Sequence, residues 1–255
     1  PALAGAAHRV QPTYDPPFLA HATMEPMNCT ADVRSDRCEI WAPTQNPQGT
    51  QSTAASLTKL PVDAVTVHVT YLGCGWGRRS RTDFVEDAVE TSMKMQAPVQ
   101  LVWTREEDMR HDFYRPAAHH KLEGAVDAKG RASGLRVKIA CQPIAGGRGI
   151  DGPAVAAIAD MHYAIPNLLV EYSRADLAVP VGYWRSVGPS QNCFILESFI
   201  DEMAHAAGRD PFEFRREMLS DNPRLKHVLE VAAEQSGWGT PAPKGRARGI
   251  ALLED

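Results

Sequence analysis

The apolar and polar positions of the chain divide it into three stretches. From about residue 12 to residue 110, short β-type runs alternate with helical periodicity. Arg37–Trp41, Val65–Val69 and Val99–Trp103 read as strands, the last of them as a buried one. A helix follows Pro47, with Thr44 or Asn46 as its cap, and Pro61 stops it near Leu60. Phe84, Val85, Ala88, Val89 and Met93 share one face of a helix over residues 83–95, and Asp83 with Glu86 fits a capping box at its start. Thr104 and Glu107 form a second such box before a short helix. From 111 to 180 the period changes to two. His119–Val126 and Ala132–Gln142 read as strands around an Asp127-Ala128-Lys129-Gly130 turn, and Asn167–Val179 as a third. Leu135, Val137, Ile139 and Cys141 then line one buried face. From 181 to 255 the pattern is helical. Ile195, Phe199, Met203 and Ala207 recur every fourth residue, Pro189 suits the first turn and Gly208 the C-cap. Asp210-Pro211-Phe212-Glu213 opens a second helix, and a third runs from about Arg224 to Gln235. Ile250–Leu253 reads as the start of a strand, and residues 1–20, with Pro12, Pro16 and Pro17, as an extended lead-in. The class is α+β: an α/β unit, a strand-rich part, then a helical end.

Totals narrow the function classes. A chain of 255 residues suffices for one large domain or two ordinary ones. The net charge of -4 argues against a broadly nucleic-acid-binding surface. No apolar run reaches the roughly 18 residues of a membrane span, and Pro1-Ala2-Leu3 does not start a signal peptide. Because the first residue is not Met, the chain reads as a fragment or a processed product, truncated at both ends. The five cysteines, Cys29, Cys38, Cys74, Cys141 and Cys193, lack the Cys-x-x-Cys spacing of zinc or iron–sulfur sites and read as buried thiols.

The chemistry concentrates at Tyr71-Leu72-Gly73-Cys74-Gly75-Trp76-Gly77-Arg78-Arg79. Glycines at every second position allow unusual backbone angles and close approach of a ligand. Successive N–H groups can form an anion nest, two arginines supply planar forks for phosphate, and the helix that follows adds its N-terminal end. The stretch reads as a strand-end loop for a large anionic cofactor, or else as a plain tight turn. It is neither G-x-G-x-x-G nor a P-loop. A nucleotide-binding reading would rest on this loop alone, without the acidic ribose partner. A second strand-end stretch, Pro180-Val181-Gly182-Tyr183-Trp184-Arg185-Ser186-Val187-Gly188-Pro189, again combines aromatics, an arginine and glycines. Gln45 stands at a strand-to-helix junction. Its amide can donate to an oxo group without titrating, or it is a solvated loop residue. His21 and Glu25 are four apart, but Pro26 opposes a helix, and the two read as a buried structural pair, or else as a catalytic one. His119 and His120 face opposite sides of a strand and cannot share a metal. Ala145–Gly149 reads as a surface loop or lid.

Five motifs, taken in order, resemble the molybdenum-binding large subunit of the xanthine oxidase and aldehyde oxidase family, and within it the isoquinoline 1-oxidoreductase beta subunit. They are His21-Ala22-Thr23-Met24-Glu25-Pro26-Met27-Asn28, Thr44-Gln45-Asn46, Gly73 to Arg79, Val102-Trp103-Thr104-Arg105-Glu106-Glu107-Asp108 and Gly182 to Gly188. The resemblance runs from about residue 12 to the end. It implies a bacterial molybdopterin-dependent hydroxylase acting on N-heteroaromatics or aldehydes, with water as the oxygen source. It implies a molybdenum cofactor, a pterin in its cytosine dinucleotide form, held without a protein ligand to the metal. Electrons would pass to a small iron–sulfur subunit. Gln45 matches the catalytic glutamine that bonds a molybdenum oxo ligand. Gly73, Cys74, Gly75, Trp76, Gly77 and Arg78 match the first cofactor-contacting loop, with Gly75, Gly77 and Arg78 approaching through their backbone. Trp184, Arg185 and Ser186 match the second. Trp76 and Ser80 would line the substrate pocket.

The departures are specific. Ser80 stands where purine hydroxylators carry a substrate-binding glutamate, so purine recognition is not implied. The family's catalytic glutamate lies in a later Gly-rich stretch that does not occur before Asp255. This chain would hold half of an active site, be inactive alone, and need the remaining C-terminal portion of its large subunit. The alternative is a non-catalytic scaffold or interaction fragment without cofactor and base. The branch favours a periplasmic over a cytoplasmic location.

Overall fold

A computed structural model describes residues 3–254. In chain order the elements are β1 (His8–Val10), β2 (Thr13–Tyr14), β3 (Asn28–Val33), β4 (Cys38–Ala42), α1 (Pro47–Thr58), β5 (Val65–Val69), α2 (Asp83–Met95), β6 (Val99–Val102) and α3 (Arg105–Arg110). They continue as β7 (Ala118–Val126), β8 (Ala132–Cys141), α4 (Gly152–Val155), β9 (Leu168–Arg174), α5 (Pro189–Ala206), α6 (Pro211–Met218) and α7 (Pro223–Gln235). They form two units. One comprises residues 18–116 and 178–185, the other residues 3–17, 117–177 and 186–254.

In the first unit β5-β4-β3-β6 form a sheet, with β4 and β5 parallel and the other pairs antiparallel. The period-two alternation of β3 and β4 sends Cys29, Ala31, Cys38 and Ile40 to one face. There they meet Phe84, Val85, Ala88 and Val89 of α2 and Ala54 and Ala55 of α1. On the other face Thr30, Trp41 and His68 stand in register, with the last two rings stacked 4.9 Å apart. Asn46 caps α1 by accepting from Gly49 N, and Pro47 takes the first position. Two expectations fail. The capping box of α2 is not made: Thr82 is the cap residue and bonds the Glu86 side chain, while Asp83 turns to Arg78. β6 is a sheet edge with alternate residues exposed, not a buried strand, because no described strand pairs beyond it.

In the second unit β7 and β8 form the expected hairpin, β1 and β2 both pair with β7, and β9 runs parallel to β8. The lead-in is thus two edge strands. Leu122, Leu135, Val137 and Ile139 pack under Ile195, Phe199, Ile200 and Met203 of α5. β9 is shorter than the alternation implied, exposed at both ends and partly buried only at its middle three residues, as an outer strand is. Residues 250–253 form no strand. Ile250 and Leu252 cover the core instead, and Leu252 N donates to Glu197 Oε2. The strand-rich middle and the helical end therefore share one core, while residues 178–185 join the α/β unit.

His120 is fully buried on β7. Asn192 Nδ2 donates to Ala154 O and Ala156 O, so its Oδ1 accepts from His120 Nε2, 3.0 Å away. Burial holds the imidazole neutral and pulls it from 6.5 down to about 4, against the smaller opposing effect of the Asn192 bond. The unfolded chain takes up this proton near 6.5 and the folded chain only near 4. The contribution is complete above 6.5 and lost as pH falls through that window, by about 3 kcal/mol. His120→Gln, which keeps a donor for Asn192, is expected to flatten the fall in unfolding free energy between about pH 7 and about pH 4.5, measured by urea titration.

Candidate cofactor site

The loop after β5 has a backbone few residues adopt. Cys74, Trp76 and Gly77 lie at φ of 76, 52 and 103°. For Cys74 and Trp76 this costs on the order of 1 kcal/mol each. The surroundings over-determine it. Gly73 N donates to Glu25 Oε2 at 2.8 Å, and Gly73 O accepts from Glu25 N at 3.0 Å. Gly77 N donates to Gln45 Oε1 at 3.0 Å, and Arg78 N to Gly75 O at 3.0 Å. Gln45 N in turn donates to Arg79 O.

The two arginines do not offer forks to a phosphate. Arg78 is 1% and Arg79 0% exposed, because both turn inward. Arg78 binds Asp83 through two nitrogens, at 2.9 and 2.6 Å, lies 3.2 Å from Asp112, and is flanked by the Trp103 and Phe113 rings. Arg79 donates to Cys74 O at 2.9 Å, Glu25 O at 2.7 Å and Glu25 Oε2 at 3.0 Å. Burial pulls Arg79 below its ordinary value, and the charge of Glu25 opposes that. Glu25 is therefore the partner of Arg79, while His21 pairs with Asp112 at 2.9 Å. The expected His21–Glu25 pair does not form, because neither side chain is on a helix that would bring residues four apart together.

These bonds leave a particular set of donors open. The N–H groups of Gly77 and Arg78 are spent within the chain. Those of Cys74, Gly75 and Trp76 have no partner among the described residues, nor has Gln45 Nε2, since its amide is anchored through the oxygen. Three consecutive amides of one partly exposed loop and the side-chain amide of Gln45, from the β4–α1 junction, thus stand open. That suits an oxygen-rich anionic group. A Cβ on Gly75 would sit 2.5 Å from Gln45 Oε1, and one on Gly77 would overlap the Tyr183 carbonyl. At Gly77 close approach of backbone requires glycine, whereas at Gly75 the end of the Gln45 side chain would have to move.

The second stretch reaches the same unit. Tyr114 N donates to Pro180 O, Gly182 N to Tyr114 O, and Trp184 Nε1 to Ala20 O at 3.2 Å. Trp184 is half-buried, while Arg185 is exposed and has no ion partner among the described residues. Gln45, Gly73 to Arg78, Trp184 and Arg185 belong to one unit; Ser186, at φ 66°, belongs to the other. Ser80 Oγ donates to Gly77 O at 2.6 Å, so this hydroxyl braces the loop. Trp76 is half-buried, and its indole N–H has no partner among the described residues. Sequence reasoning missed Asp83 and Asp112 as arginine partners. Five residues separate Asp83 from Arg78, which was a readable signal; Asp112 lies too far along the chain to leave one.

Gly75→Ala is expected to displace the Gln45 amide with a shift in unfolding midpoint smaller than that of Gly77→Ala, where the new Cβ meets backbone. Thermal melts of the two variants check this.

The chain matches the family model described as molybdopterin cofactor-binding domain over residues 1–219. It is 29% identical to the isoquinoline 1-oxidoreductase beta subunit of Brevundimonas diminuta, over 92% of this chain and 32% of that protein. It is 29% identical to a nicotinate dehydrogenase subunit of Pseudomonas putida, over 92% of this chain and 21% of that protein. The solved quinoline 2-oxidoreductase of Pseudomonas putida 86 superposes with a TM-score of 0.77 at 19% identity, covering 92% of this chain and 33% of that one. The aldehyde oxidoreductase of Desulfovibrio gigas superposes with a TM-score of 0.71 at 17% identity, covering 94% and 29%. The chain thus spans about a third or less of the length of these relatives. Through the match over most of its length, it belongs to the molybdopterin cofactor-binding domain family.

Proposed function

We propose that this chain is the first cofactor-binding portion of a molybdenum hydroxylase large subunit, oxidising N-heteroaromatic compounds or aldehydes with water as oxygen donor. The observation that carries the proposal is the row of open donors at Cys74, Gly75 and Trp76 beside the anchored Gln45 amide. The names of the isoquinoline and nicotinate relatives support the heteroaromatic class, and that of the aldehyde oxidoreductase the other. When bound, a pterin-held molybdenum would supply two-electron redox chemistry. The chain's own residues bind and orient. The amides of Cys74, Gly75 and Trp76 would donate to oxygen atoms of the cofactor. Gln45, held by Gly77 through Oε1, presents Nε2 in one orientation, and this donor bonds more strongly as charge develops on an oxygen facing it. Trp76 walls the pocket and excludes water. Trp184 and Arg185 contribute the second contact.

No carboxylate of this site is free to act as a base: Glu25, Asp83 and Asp112 are all held by the buried arginines. The resemblance implies a proton acceptor in the remaining C-terminal portion of the large subunit. Electrons leave to a small iron–sulfur subunit, consistent with the scattered cysteines. The cytosine dinucleotide form of the cofactor and a periplasmic location complete the reading. Among the described residues, no helix is long and apolar enough to cross a membrane.

Molybdenum analysis of material from its native host, with the chains that co-purify, tests this. Stoichiometric molybdenum is the expected result; none in an intact complex would leave a scaffold of the same fold. In the loaded protein Gln45→Ala should lower turnover more than molybdenum content, and cofactor loss without a separate effect on turnover would remove Gln45 from the chemistry.

A further inference from the structure

We propose that His21 is a positioning residue that sets the spacing of the two cofactor loops by holding the Tyr183 carbonyl against Gly77, an inference that rests on the molybdenum reading above. His21 lies between β2 and β3 and is 3% exposed. Its Nε2 is 2.8 Å from Tyr183 O. A carbonyl only accepts, so Nε2 carries the proton of that bond. No other hydrogen bond reaches the Tyr183 carbonyl among the described residues. That same carbonyl occupies the place where a side chain on Gly77 would begin, so the backbones of the two loops touch there.

The other edge of the ring reaches the first loop. Nδ1 is 2.9 Å from Asp112 Oδ1, and His21 N donates to Asp112 Oδ2 at 2.5 Å. Asp112 also lies 3.2 Å from Nε of Arg78, the residue after Gly77. Burial would raise the Asp112 carboxyl, but the bonds from His21 and the charge of Arg78 outweigh it and hold the group below its ordinary value. Trp184 secures the neighbouring position, its Nε1 bonded to Ala20 O and its ring 6.5 Å from that of His21. One imidazole therefore bonds the second loop through Nε2, and its other edge stands against Asp112, the ion partner of Arg78 in the first loop.

The two edges can be separated. A Gln side chain places its amide nitrogen near Nε2 of a histidine, and an Asn places its nitrogen near Nδ1. His21→Gln keeps the Tyr183 bond and gives up only the side-chain contact with Asp112, the backbone bond of residue 21 to Asp112 remaining in both variants; His21→Asn gives up the Tyr183 bond instead. Both are made in the large subunit purified with its co-purifying chains. Three quantities are read: hydrogen exchange of the amides of residues 74–77 and 182–185, molybdenum content, and unfolding midpoint. The expected result is faster exchange in both loops by about tenfold in His21→Asn, the loss of one buried hydrogen bond, with molybdenum content reduced severalfold. His21→Gln stays within about twofold of the parent in both. The two variants behaving alike, or His21→Asn leaving loop exchange unchanged, would overturn the proposal and leave His21 a core residue only. A parent protein without molybdenum would sink the molybdenum reading. The exchange comparison needs no cofactor and still decides the role of His21.

Discussion

Two adjacent guanidinium groups are buried behind a loop of glycines, and the rest of the α/β unit is arranged to satisfy them. An unpaired buried charge costs several kcal/mol, and a paired one breaks even only when its remaining donors also find acceptors. Arg79 meets that condition with Glu25 and with the carbonyls of Cys74, Glu25 and Pro43, while Arg78 is paired with Asp83 and stands 3.2 Å from Asp112, its Nε left without a hydrogen bond among the described residues. These partners come from the segment before β3, the end of β4, the start of α2 and the turn after α3. The demand of the two arginines thus draws four remote pieces of chain to one place.

The loop is shaped as a consequence. Because Arg79 grips Cys74 O and Glu25 grips both N and O of Gly73, the chain between Gly73 and Gly77 has little freedom left. Cys74 and Trp76 are held at positive φ, and their N–H groups find no acceptor among the described residues. Cys74, Gly75 and Trp76 are partly exposed, so these N–H groups are open to water or to the acceptors of a ligand. The charge that stabilises the loop lies behind it, and the neutral donors lie in front. That division suits recognition by dipoles more than by ion pairing.

The elements were largely legible in the chain. Val65–Val69 and residues 83–95 fall where period and punctuation place them, and the Asn46–Pro47 and Asp210–Pro211 starts are made as their residue types require. These are local features, set by backbone sterics and by hydrogen bonds within a few residues. What misled was context. Val99–Val102 has the composition of a central strand but lies at an edge, and residues 250–253 have the composition of a strand but find no partner strand among the described residues. Composition reports what a segment can do; pairing depends on what else is available.

The residues of the site were legible as types and misread as agents. Gln45 lies at the β4–α1 junction and the glycines in the loop after β5, but the arginines read as anion-binding groups are buried supports, and the open donors are the backbone amides of Cys74, Gly75 and Trp76. The sequence alone determined that a Gly-rich strand-end loop, a junction glutamine and a second aromatic–arginine loop exist in one chain, because glycine, proline and hydrophobic period act locally. Only the tertiary structure decided that Glu25 serves Arg79, that Asp112 serves both His21 and Arg78, and that Ser80 turns back on Gly77. Buried charges choose their partners by proximity in space after the chain has collapsed, and no spacing along the sequence records that choice.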